Sequence, residues 1–103
     1  MNISEEIKKI AEHYGYEAQS NQLIEECAEL IQAINKHLRA KEWDKEQIAL
    51  ENLIEEIADV EIMLEQIKYL LQIVSPITEE DLQAVKLYKV NRTKERIAGS
   101  KGE

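Results

Sequence analysis

Leu23-Ile24-Glu25-Glu26-Cys27-Ala28-Glu29-Leu30 and Leu53-Ile54-Glu55-Glu56-Ile57-Ala58-Asp59-Val60 are two versions of one pattern. Each sets two carboxylates three residues apart, Glu26/Glu29 and Glu56/Asp59, in a run whose apolar residues recur at helical spacing. Positions i and i+3 are neighbours on a helix surface, so each pair occupies one patch of its helix. Two such helices packed together bring four carboxylates to one place. Long stretches without breakers surround both motifs, since the 103 residues hold three Gly and one Pro. The expected fold is all-α.

A chain of this length is one domain with one core. With 5% aromatic residues and no Phe, that core is expected to be built from Ile, Leu, Val and Ala. A net charge of -8 argues against broad nucleic-acid or anionic-membrane binding. It leaves room for a small anionic ligand bridged to the protein by cations. Cys27 is the single cysteine and has no internal disulfide partner, which suits a reducing compartment. No apolar run approaches the roughly 18 residues that span a bilayer. Met1–Glu6 lacks the basic start and apolar stretch of a secretory signal. The expectation is a soluble, cytoplasmic protein that binds neither nucleic acid nor membrane.

Four helices are expected. The first runs from about Ser4, as cap, to Tyr14, with Ile3, Ile7, Ile10 and Ala11 as its apolar stripe and Gly15 as its stop. The second runs from Ala18 or Ser20 to Lys41, with an apolar face of Leu23, Cys27, Leu30, Ile31, Ile34 and Leu38. Cys27 on that face reads as a small core residue. Glu26 lies about 40° beyond its Leu30 edge, on a flank continued by Gln22, Glu29 and Ala33. The third helix, Lys45 to Val74, would be roughly 45 Å long and would overhang a domain with a radius of gyration near ~13 Å. Such a helix usually finds a partner subunit. Ser75-Pro76 stops it, and Thr78-Glu79-Glu80-Asp81 starts a fourth helix running to about Ile97. A domain over 1–98 and a frayed tail over 99–103 follow. Trp43, in the turn before the third helix, reads as cover for a helix junction, and His13 and His37 as surface residues.

Carboxylates at i, i+3 are usually solvated surface, and Glu56 is the exception. Projected at about 100° per residue, it falls inside the third helix's apolar arc, between Met63 and Val60, and Asp59 falls at the edge. A buried ionised carboxylate is costly unless paired, hydrogen-bonded or metal-bound. The second helix offers no cation beside Glu26 and Glu29, so converging carboxylates would call for an external one. Hard oxygen ligands without His or Cys point to Mg²⁺ or Mn²⁺. The Glu-x-x-His motif of di-iron bundles is absent, because Ile10 precedes His13 and Ile34 precedes His37 at that spacing.

Glu25-Glu26-x-x-Glu29 followed by Glu56-x-x-Asp59 resembles the paired acidic signature of the MazG-like, all-α nucleoside triphosphate pyrophosphohydrolases, over roughly residues 20 to 97. The resemblance implies a four-helix subunit whose long helices form an oligomeric bundle, a homodimer or homotetramer. It implies Mg²⁺ ligation by Glu26, Glu29, Glu56 and Asp59, and hydrolysis of an NTP or dNTP to the monophosphate and pyrophosphate. A metal-bound or carboxylate-oriented water would attack the α-phosphorus, with Glu25 a candidate for positioning it. Lys89, Asn91, Arg92 and Arg96 match the family's basic C-terminal segment and would bind substrate phosphates, although Thr93 stands where several relatives carry Lys. Asn91 projects away from Arg92, so both serve one pocket only across a subunit boundary. Asn52, one turn before Glu56, would contact nucleotide or metal-bound water. Two alternatives stay open: a phosphoribosyl-ATP pyrophosphohydrolase-like enzyme, and a non-enzymatic helical interaction module with surface acids.

Overall fold

The computed structural model describes residues 1–101, apart from the side chains of residues 43 and 101. It contains α1 (Ile3–Tyr14), α2 (Tyr16–Arg39), a 3-10 turn (Ala40–Trp43), α3 (Glu46–Val74) and α4 (Glu79–Lys101). No strand occurs among the described residues. The all-α expectation holds. Trp43, read as a cover for the helix junction, has its side chain outside the described atoms. The chain divides into two compact units, Met1–Ile73 and Val74–Glu103.

In the first unit, Asn2 rather than Ser4 caps α1. Its Oδ1 accepts the Glu5 N–H at 3.2 Å, and Asn serves there as well as Ser. Gly15 ends α1 with φ 87°, donating its N–H to the Ala11 carbonyl at 2.8 Å. Only a residue without Cβ takes that conformation freely. Gly15 alone separates the two helices, so α2 begins at Tyr16, earlier than the sequence suggests. At the far end of α2 the chain reverses through the 3-10 turn. Lys45 N–H reaches the Ala40 carbonyl at 3.0 Å, and Asp44 takes the left-handed φ of 54°.

The α2–α3 pair is antiparallel, and its register can be read from its two ends. Gln19 Nε2 donates to Gln66 Oε1 at 2.6 Å, while Ala40 meets Lys45 at the turn. Both helices rise about 1.5 Å per residue, so the register between these ends sets Glu29 level with Glu56, Ala33 with Asn52, and Lys36 with Ala49. Buried or half-buried positions on α2 include Gln19, Leu23, Glu26, Leu30 and Ala33; on α3 they include Ala49, Leu53, Glu56, Val60, Met63, Ile67 and Leu70. Both sets step by alternating threes and fours, which is a coiled-coil seam. Val60, Met63 and Leu70 each contribute about 1.5–3 kcal/mol through burial. Ala33, Ala40 and Ala49 are buried as well.

This seam corrects the sequence reading of α2. The flank that carries Glu26 and Ala33 faces α3, and much of the greasier arc faces outward. Ile31 is 60% and Leu38 73% exposed, and Cys27 is exposed rather than a core residue. α1 docks by burying Ile7 and Ala11, and Tyr69 on α3 ties it down. The Tyr69 hydroxyl donates to the Glu12 carboxylate, and the Lys8 ammonium sits 5.5 Å from the centre of its ring.

In the second unit, α4 opens on a reciprocal cap. Thr78 Oγ1 accepts the Asp81 N–H at 3.1 Å, and Asp81 Oδ2 accepts the Thr78 N–H at 2.8 Å. α4 passes Ile97 and continues through Gly99 to Lys101, because one Gly costs a helix only about 1 kcal/mol. Residues 102 and 103 of the expected tail lie outside the described residues. No helix among the described residues is long and apolar enough to cross a membrane.

Candidate metal centre

The seam carries Glu26 and Glu56 at equivalent steps of the two helices, and the antiparallel register sets Glu29 beside Glu56. The three carboxylates offer ligand atoms that all lie within 4.8 Å of one another. Glu26 and Glu56 are half-buried, and Glu29 is exposed. Gln22 Nε2 donates to Glu26 Oε1 at 2.9 Å. The other oxygen of Glu26, Oε2, is buried without a partner, and so is Glu56 Oε2. Buried oxygens of this kind normally find a donor or a cation. Among the described residues, no ion pair reaches these carboxylates.

A hard divalent cation fits this donor set. It takes carboxylate oxygens, and one ion would satisfy both orphaned atoms while offsetting the repulsion of three converging charges. Of the four carboxylates expected to gather, three do. Asp59, one step further along α3, is exposed and lies outside the group of three. Glu25 is exposed on α2, and Asn52 is half-buried one turn from Glu56. Lys89, Asn91, Arg92 and Arg96 are exposed on α4. There the Arg92 guanidinium lies 5.8 Å from the centre of the Tyr88 ring, a cation–π distance.

A second feature of the α2–α3 groove escaped the sequence reading. At the turn end, Lys36, Arg39 and Lys45 line a cavity of about 590 Å³, together with Ala40, Ala49 and Asn52. The signal was present in the stripe Glu26–Glu29–Ala33–Lys36–Ala40, whose steps of three and four keep all five on one flank of α2. No protein-family model, curated protein or solved structure matches the chain.

Proposed function

We propose that the protein is a Mg²⁺-dependent nucleoside triphosphate pyrophosphohydrolase of the MazG-like kind. The observation that carries this reading is the carboxylate group Glu26/Glu29/Glu56 with two buried, unpartnered oxygens. A buried oxygen left without a partner costs about 1–3 kcal/mol, and a bound cation would remove that cost at both positions. Glu26, Glu29 and Glu56 would hold Mg²⁺ or Mn²⁺, with Asp59 completing the set. The cation would supply charge neutralisation for the substrate phosphates.

Within this reading, exposed Glu25 orients the attacking water, and Asn52 offers an amide to the substrate beside Glu56. By the family resemblance, Lys89, Arg92 and Arg96 would supply positive charge for the phosphates and Asn91 a neutral amide. The outward arc of α2, with Ile31, Ile34 and Leu38, is covered by a second copy of the chain in a homodimer or homotetramer. An exposed apolar stripe of this kind marks an interaction surface. The same stripe also favours a second reading, a non-enzymatic helical interaction module.

Pyrophosphate release from a panel of NTPs and dNTPs, with Mg²⁺ and with chelator, separates the two. Metal-dependent turnover that is lost in Glu56→Gln is the expected result. Absence of turnover, with no metal response in thermal unfolding, would leave the interaction module.

A further inference from the structure

The chain carries a net charge of -8 with 13 basic residues, yet three of those cations converge on one cavity. Lys36 and Arg39 come from the last turns of α2, and Lys45 comes from the reversal before α3. Among the described residues, no carboxylate lines the cavity. Among the described residues, none of the three pairs with an acid. Gathering like charges around a concavity raises the local potential and calls for an anion. The cavity volume of about 590 Å³ falls within the range of small-molecule sites. Ala40 and Ala49 give it an apolar wall, and Arg39 brings a fork matched to phosphate oxygens.

Its place along the groove narrows the ligand. Asn52 lines the cavity and sits one turn, about 6 Å of helix rise, from Glu56. Lys36 is level with Ala49, about 10 Å of rise from the Glu29/Glu56 level. An acidic cluster suited to a divalent cation therefore adjoins a basic cavity along one groove. A ligand spanning both must be anionic, elongated and able to share a cation, which describes a phosphoanhydride chain.

We propose that the Lys36/Arg39/Lys45 cavity receives the two terminal phosphates of the substrate, so that pyrophosphate departs into it. This assignment rests on the reading of Glu26, Glu29 and Glu56 as the place where the phosphate chain is held. In the reaction, the water oxygen bonds to the α-phosphorus and the bridging α–β P–O bond breaks. Its electron pair goes to the pyrophosphate oxygen. One water proton ends on pyrophosphate and the other passes to bulk water. The cavity's cations stabilise the charge that develops on the departing group.

The test is calorimetric titration of inorganic pyrophosphate into the full chain, with chelator and again with Mg²⁺. The proteins are wild type, Lys36→Gln/Arg39→Gln, Glu56→Gln, and Lys86→Gln/Lys94→Gln as a control with the same charge change on α4. Wild type is expected to bind pyrophosphate without metal. The Lys36→Gln/Arg39→Gln variant should lose at least about tenfold in affinity, and the α4 control should lose less than about threefold. Glu56→Gln should keep the metal-free binding, since it retains the cavity. Pyrophosphate affinity that is absent in wild type, or equal in the cavity variant and the α4 control, would overturn the proposal even if Mg²⁺ stabilises the chain. Cavity-dependent binding without any Mg²⁺ response would support the cavity and sink the metal reading instead. Circular dichroism of each variant, matched to wild type, establishes that the fold is intact.

Discussion

Neutralising Glu56 should raise the stability of the metal-free protein and abolish its response to Mg²⁺, so the order of wild type and variant reverses when metal is added. With ligand atoms no more than 4.8 Å apart, Coulomb's law gives about 1 kcal/mol of repulsion per pair in bulk water. At an effective dielectric of 20 it gives about 3 kcal/mol. Glu29 is exposed, so its pairs sit near the lower figure; Glu26 and Glu56 are half-buried, so theirs lies between the two. Glu56→Gln removes two of the three repulsions and adds an amide donor beside the orphaned Glu26 oxygen. A net gain of about 1–2 kcal/mol corresponds to a rise in Tm of roughly 4–16 °C for a unit of this size. Wild type at a hundredfold excess of Mg²⁺ over its Kd should gain about 2.7 kcal/mol, and the variant little. Thermal unfolding followed by circular dichroism, in chelator and in Mg²⁺, reads both effects. NaCl at matched ionic strength controls for screening. If NaCl reproduces the Mg²⁺ effect, or if Glu56→Gln is the less stable protein in chelator, the carboxylates do not form a strained cation site.

Three further outcomes follow from other contacts. The hydrogen bond to Glu12, then burial and the Glu12 charge, hold the Tyr69 phenol above its ordinary value of 10.0. Its contribution to stability is therefore fully present below that pH and is lost as pH rises through the higher folded-state value. The urea-unfolding difference between wild type and Tyr69→Phe should shrink toward zero in that alkaline window, and a difference that stays constant would refute the assignment. Gln66→Leu should cost about 1–3 kcal/mol by leaving the Gln19 amide buried and unpaired, whereas Gln19→Leu/Gln66→Leu should recover most of it; denaturant titration of both variants checks this. Ile31→Glu/Leu38→Glu should reduce the mass in sedimentation equilibrium to that of one chain, and a mass equal to wild type would show that the outward arc of α2 is not the interface.

The four helices were legible because breakers are few and well placed: Gly15, the turn before Glu46, and Ser75-Pro76 each fall between two helices. Glu56 was legible for the same physical reason, since a carboxylate inside an apolar arc announces itself on a single helix. The buried side of α2 was legible only in part. Counting apolar residues selects Leu23, Cys27, Leu30, Ile31, Ile34 and Leu38, yet only Leu23 and Leu30 of these lie in the seam, which otherwise runs through Gln19, Glu26 and Ala33. Gln19 can be buried only because Gln66 accepts its amide N–H, and the tolerance for Glu26 likewise depends on what stands opposite. These are properties of a pair of helices, and no single helical projection contains them. The cations at the turn were hidden in a related way. Lys36 and Arg39 read as an ordinary basic end of α2, favoured by the helix dipole. Only the antiparallel reversal brings Lys45 to the same cavity and sets that cavity one turn from Glu56. The acidic and basic halves of the groove thus arise from one feature, the register of α2 against α3. A change that slips the register, such as a residue inserted between Ala40 and Lys45, should therefore disable the metal centre and the anion cavity together.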